Sequence, residues 1–343
     1  MKKLLAVLLS AAMILSAVGC KNSSESKTST DMSNKEAATN NLEDFNIVLD
    51  WYPNAVHSFI YVAIEKGYYA EEGLNVNVQF PANVNDAISL PAAGKADAGL
   101  YYQPDIISTA ANQDIPIKVI GTVVQHPLNI VISMRESGIS SAKDLKGKVI
   151  GYPGTLLNDV FVKAMMEYRG LTFEDVTMQD VGFDLNTSLI TGNVDAIIGA
   201  YINHEYPTLI NEGYDIDYLD ITEEGIPDYE ELVLVTGQNQ VETESDKLER
   251  FIRASKKGFE DVKNNPEEAL EILLKNQDDA NYPLDANIEK ASMDILVPLM
   301  SSDEQGFLDV DKQSWADMIS WLGEQGMLDK DITPDDLIAN LNS

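Results

Sequence analysis

Leu49-Asp50-Trp51-Tyr52-Pro53-Asn54-Ala55-Val56-His57 closes an apolar run, Phe45 to Leu49, that reads as a strand, and opens a helical run, Ser58 to Lys66. Between them sit an acid, two aromatics, an amide and an imidazole, and Pro53 forbids simple continuation of either element. Loops of this kind leave the carboxyl end of a strand, where open α/β sheets place their ligand crevices. The loop therefore reads as one wall of a small-molecule cleft, with the rest of the chain supplying the opposite wall.

Downstream, strands and helices alternate. Leu74 to Phe80 sets Val76, Val78 and Phe80 against Asn75, Asn77 and Gln79, the pattern of a half-buried strand. Ala96 to Leu100 is a short buried strand that ends at Tyr101-Tyr102-Gln103-Pro104-Asp105. A second βα series starts at Lys148 to Gly151 and runs into Tyr152-Pro153-Gly154-Thr155 and a helix, Leu156 to Tyr168. Val194 to Ala200 is its counterpart strand, ending at Tyr201-Ile202-Asn203-His204-Glu205-Tyr206-Pro207. From Ser245 the spacing of Leu248, Phe251, Ile252, Phe259 and Val262 is helical. Gly94-Lys95-Ala96-Asp97-Ala98 leading to Tyr101 is echoed by Gly192-Asn193-Val194-Asp195-Ala196 leading to Tyr201. At face value, two α/β lobes of similar plan each present an aromatic at a strand terminus.

A chain of 343 residues is long for one core, and two domains are expected. The formal charge of −32 repels phosphate backbones and argues against nucleic-acid binding. The single cysteine, Cys20, excludes a disulfide framework or a multi-cysteine metal site, and His57, His126 and His204 are too scattered to suggest a metal site. Residues 1–20 read as an export segment: Lys2 and Lys3, then an apolar core from Leu4 to Val18. It ends Ser16-Ala17-Val18-Gly19-Cys20, which resembles a bacterial lipobox, though Ala17 stands where leucine is preferred. That resemblance implies a lipid on Cys20 and anchoring to the outer face of the cell membrane. Residues 21–43, rich in Ser, Thr, Asn and Lys, read as a disordered tether.

Leu49-Asp50-Trp51-Tyr52-Pro53-Asn54, Gly67-Tyr68-Tyr69, Tyr102-Gln103-Pro104-Asp105, Asp144-Leu145-Lys146-Gly147-Lys148 with Gly151-Tyr152-Pro153-Gly154, and His204-Glu205 together resemble the solute-binding proteins of ABC importers. Within them the chain is most similar to the branch that binds pyrimidine precursors of thiamine. The Asp-Leu-Lys-Gly-Lys and Gly-Tyr-Tyr pieces are shared with nitrate-, sulfonate- and riboflavin-type branches. Asp50-Trp51 with Pro53-Asn54 and His204-Glu205 is the narrower signal. The resemblance implies a periplasmic-binding-protein type II fold, two lobes that close on ligand about a hinge. Lobe 1 would be 44–132 plus 233–343 and lobe 2 would be 133–232. It also implies a permease and ATPase as partners.

A flat aminopyrimidine offers two faces for aromatic stacking and an amine beside a ring nitrogen for a carboxylate. Trp51, Tyr101, Tyr102, Tyr152 and Tyr201 can stack; Glu205, then Asp50, can take the edge; Asn54, Gln103 and Asn203 can add neutral hydrogen bonds. Gly154-Thr155 puts backbone N–H groups at a helix start. Loops 50–57, 101–105, 151–158 and 201–207 hold no lysine or arginine, which argues against a sulfonate, nitrate or carboxylate ligand, although Arg135 could reach in from the crossover. Bland roles stay open. Trp51 and Tyr52 could be core, Tyr101 and Tyr102 point to opposite faces so that one of them is core, and Glu205 could be a surface acid. The expected protein binds a ligand without cofactor or metal, as a monomer. The first rival reading is a binding protein for another small heterocycle such as riboflavin, or for a sulfonate. An enzyme is the lesser rival: a fungal relative makes the thiamine pyrimidine through a cysteine-rich iron motif that this sequence does not contain.

Overall fold

The computed structural model describes residues 42–341, apart from 84, 183, 278–282 and 340. The expected export segment, Cys20 and the tether up to residue 41 lie outside the described residues. The first strand, β1 (Glu43–Val48), starts two residues before the apolar run at Phe45.

The described chain builds two five-stranded sheets. The first contains β1, β2 (Leu74–Gln79), β3 (Ala98–Tyr102), β4 (Ile117–Val124) and β10 (Leu232–Gly237), in the order β2-β1-β3-β10-β4. The second contains β5 (Asn129–Met134), β6 (Val149–Tyr152), β7 (Thr177–Asp180), β8 (Ala196–Tyr201) and β9 (Ile216–Asp220), in the order β7-β6-β8-β5-β9. The expected boundary at 132/133 falls inside β5, a strand wholly of the second sheet. The chain passes between sheets across residues 125–128 and returns across 221–231.

Parallel pairing links β1 with β2 and β3, and β6 with β7 and β8; β10 and β5 run antiparallel to their neighbours. This mixture has a geometric result. β10 begins where β3 ends, with Leu232 opposite Tyr102. β5 begins where β8 ends, with Asn129 opposite Tyr201. Both connections between the sheets are thereby drawn to the strand ends at which ligand loops emerge.

The echo seen in the sequence has a structural basis. Asp97 Oδ2 accepts from the Asn46 amide at 2.6 Å, and Asp195 Oδ2 accepts from the Val149 amide at 2.8 Å. Each aspartate clips its strand to the parallel neighbour, setting Ala98 beside Ile47 and Ala196 beside Ile150. From these alanines Tyr102 is four residues on and Tyr201 five. The extra residue is absorbed at Gly199, where the β5–β8 register shifts and φ is +83°. Once the bulge is discounted, Tyr201 occupies in β8 the place that Tyr102 occupies in β3.

Helices cover the sheets. Ser58–Glu65 crosses Ser245–Asn264 so closely that a Cβ at Gly258 would lie 2.3 Å from the Phe59 carbonyl oxygen. Lys312–Glu324 buries Trp315, whose Nε1–H donates to Glu230 Oε2 at 2.6 Å. The same helix sets Trp321 5.7 Å from Phe161 of the helix Leu156–Tyr168, so one apolar core touches both sheets. Among the described residues no helix is long and apolar enough to cross a membrane.

Candidate functional site

Asp50 lies two residues past the end of β1, and its environment is set by the next turn. Asn54 caps a 3-10 turn, Ala55–His57, by accepting the Val56 amide on Oδ1; its Nδ2 donates to the Tyr52 carbonyl. His57 is fully enclosed, and its Nδ1 accepts from the Asn54 amide at 3.2 Å. That acceptor role leaves the ring proton on Nε2, which donates to Asp50 Oδ1 at 2.9 Å. Asp50 Oδ2 accepts from the Tyr102 hydroxyl at 3.0 Å. Burial, and then the neighbouring Asp50, push the Tyr102 phenol well above its ordinary range, so it stays a donor.

Tyr102 crosses to the second sheet. Its ring meets that of Tyr201 nearly edge-on, at 6.5 Å between centroids. Tyr101 stacks obliquely on Tyr102 at 5.1 Å, but its hydroxyl donates away to Asn85. The Tyr201 hydroxyl donates to Glu231 Oε1 at 3.0 Å, and its amide donates to Glu205 Oε2 at 2.7 Å. Glu205 opens the helix Glu205–Asn211, where a loop was expected, and Oε1 takes a second hydrogen bond from His204. That bond raises the His204 pKa.

Glu231 was missed by sequence reasoning. It is 3% exposed and accepts from the Leu128 amide at 2.8 Å and the Tyr229 hydroxyl at 3.2 Å, besides Tyr201. Burial pushes its carboxyl up to about 7. Beside Leu128, Asn129 donates to Asn158, which donates to the hydroxyl of Thr155. Thr155 is thus tied into the same polar chain. Tyr152 and Gly154 lie at the end of β6, with Asp180 so close to Gly154 that a Cβ there would meet its carboxylate at 2.8 Å.

The helix Ala286–Met300 runs between the two wall loops. Glu289 Oε2 accepts from the Ala55 amide at 2.7 Å, and Ser292 accepts from Asn203. Burial raises the Glu289 pKa. Neither residue was signalled by its sequence context, an amphipathic helix far from the loops.

Of the candidates, Asp50, Tyr101 and Tyr201 contact Tyr102, and Glu205 joins them through the Tyr201 amide. Trp51 is 43% exposed at the mouth of the first loop, edge-on to Tyr52 at 5.5 Å. Gln103 is fully buried, accepting the Glu230 amide, and Asn54 works within its own loop. Arg135, the one cation that could have reached in, is held at the far end of β5 by Asp215 at 2.6 Å and Asp217 at 2.9 Å. Among the described residues no three His, Cys, Asp or Glu side chains gather to hold a metal ion. The arrangement suits a ring with donors on its edge: aromatic faces and carboxylate acceptors, with no Lys or Arg among the described residues hydrogen-bonded to Asp50 or Glu205, and His204 beside Glu205.

The comparisons with known proteins agree on the fold. The periplasmic aliphatic sulphonate binding protein SsuA of Escherichia coli superposes with a TM-score of 0.67 at 13% identity, covering 88% of this chain and 93% of its own. The periplasmic-binding-protein fold expected from the sequence is therefore present. The formylaminopyrimidine-binding protein of Halalkalibacterium halodurans is 44% identical over 88% of this chain and 91% of its own. A 4-amino-5-hydroxymethyl-2-methylpyrimidine phosphate synthase of Uromyces fabae is 34% identical over 46% of each chain. Residues 54–269 match the family described as NMT1/THI5 like. By this match and by the long alignment at 44% identity, the chain belongs to the NMT1/THI5-like family.

Proposed function

We propose that the protein is the extracytoplasmic solute-binding component of an ABC importer, capturing a thiamine pyrimidine precursor of the hydroxymethylpyrimidine or formylaminopyrimidine type. It hands this ligand to a membrane permease driven by an ATPase. Two lobes, one on each sheet, close over the ring. A lipid on Cys20 and the polar segment after it hold a monomeric folded part near the membrane.

The observation that carries this reading is the edge-on pair of Tyr102 and Tyr201 between the sheets, flanked by Asp50 and Glu205, with Arg135 engaged elsewhere. Glu205 is the better edge acceptor. Its side chain is 22% exposed against 9% for Asp50. Binding rather than catalysis is the reading favoured by the name of the relative at 44% identity and by a sequence whose single cysteine is Cys20.

A thermal-shift panel of pyrimidines, flavins and sulfonates tests the ligand class, because a molecule that binds the folded state alone raises Tm. Stabilisation by a sulfonate and not by a pyrimidine would overturn the reading. Mass spectrometry of whatever small molecule survives purification identifies the pyrimidine, and prolonged incubation with it should yield no product.

A further inference from the structure

We propose that Glu231 is a positioning residue for the cleft: it touches no ligand, but as a carboxylate it holds the Tyr201 ring against Tyr102 and fastens that ring to both connections between the sheets. The proposal rests on the cleft reading above. Glu231 lies in the return connection, Leu128 in the outgoing one, and Tyr201 at the end of β8. One side chain bonds all three, through 2.8 Å and 3.0 Å contacts.

Its neighbour shows what a purely structural acid looks like here. Glu230, equally buried, spends Oε2 on Thr122 of β4 and on Trp315, and Oε1 on Gln305 and the Asp311 amide of the C-terminal segment. Glu231 turns the other way, towards the two facing tyrosines.

Every group against Glu231 approaches as a donor. These are the Leu128 amide from the outgoing connection, the Asn129 amide at the start of β5, the Tyr201 hydroxyl from β8 and the Tyr229 hydroxyl from its own connection. The other charged or titratable groups nearby are acidic or phenolic, apart from His126 of the outgoing connection, which bonds Asp228 at 2.9 Å, and His57, which bonds Asp50. Tyr102 of β3 brings Asp50 behind it, and Asp105 and Asp228 lie by Tyr229. No Lys, Arg or His among the described residues hydrogen-bonds the carboxylate. A proton on Glu231 cancels the negative charge that strengthens these bonds and takes one of its acceptor positions. An amide N–H cannot reverse, so where a donor gives way it is a tyrosine hydroxyl that rotates, and the charge-assisted bond that locks Tyr201 weakens. The burial-raised carboxyl, at about 7, puts that event in an accessible range.

Formylaminopyrimidine affinity of the wild type and of Glu231→Gln, measured by calorimetry at pH 5.5 and pH 8, tests this. Glutamine mimics the neutral acid, and the ligand's own titration cancels in the ratio of the two Kd values. We expect near-equal affinities at pH 5.5 and about tenfold weaker binding by the variant at pH 8, the size of one lost charge-assisted hydrogen bond. A ratio that does not change with pH overturns the proposal. Tyr201→Phe, which keeps the ring and removes the hydroxyl, should show the same pH-dependent ratio, and supplies the test if Glu231→Gln does not fold. Tyr201→Phe binding like wild type at pH 8 also overturns it. A wild type that binds no pyrimidine at either pH instead rejects the ligand reading.

Discussion

At the scale of single residues, the site is a set of acceptors awaiting donors. Glu205→Gln exchanges one edge oxygen for an amide, and the expected cost is roughly 1.5–3 kcal/mol of binding, about a tenfold to hundredfold rise in Kd, seen by calorimetry. Since Glu205 also accepts the Tyr201 amide, circular dichroism must show the fold retained. Arg135→Ala should leave pyrimidine affinity within error, because its guanidinium is spent on Asp215 and Asp217; a clear loss would bring a cation back into the cleft. What was legible at this scale follows from position. Asp50 and Glu205 stand just past strand ends and Tyr201 closes β8, where a loop rich in aromatics and acids signals a crevice. Glu231 was illegible because Asp228-Tyr229-Glu230-Glu231 reads as a solvated acidic turn. Its burial comes from the pairing of β10 beside β3, a contact between residues more than a hundred positions apart.

Among the elements, the bulge in β8 decides which face of the strand Tyr201 takes. A one-residue slip sends every side chain to the opposite face. Gly199 holds the bulge with φ of +83°, and a Cβ there would lie 2.7 Å from Pro153 Cδ and 2.9 Å from Asn158 Nδ2. Gly199→Ala should therefore cost ~1–3 kcal/mol in urea unfolding and weaken ligand binding beyond what stability alone explains, as Tyr201 turns from Tyr102. Wild-type stability and affinity in this variant would reject the role of the bulge. The repeated Asp-Ala strand was visible in the sequence, since each aspartate does the same clipping job. The bulge was not, because a glycine within a strand pattern is also compatible with a plain, weak strand.

On the scale of the whole molecule, stability carries the mark of the buried acid. The Glu231 carboxyl is raised from 4.5 to about 7, so between these values the folded state binds a proton that the unfolded chain has released. Stability from this group is full below about 4.5 and lost as pH rises to about 7, by on the order of 3 kcal/mol. Asp44, Asp144, Asp175 and Asp336 act oppositely: hydrogen bonds hold them below their ordinary value, and their support vanishes as pH falls through the acid range. Urea midpoints should thus fall between pH 5 and pH 8 in the wild type and fall less in Glu231→Gln; equal slopes would contradict the buried titration. At this scale the α/β plan and the existence of two sheets could be read from alternating strand and helix patterns. The points of passage between sheets could not, since β5 is as apolar as any strand of the first sheet.

The strand order also dictates a sequence of assembly. Residues 129–220 contain every strand of the second sheet, whereas the first sheet has β10 inserted between β3 and β4. A nascent chain emerging from the ribosome can complete the later-numbered sheet while the earlier one still has a gap between β3 and its edge strand β4. The amino-terminal half must therefore wait, partly open, for its carboxyl-terminal strand, and the cradle for the ligand comes into being only when that strand slots home.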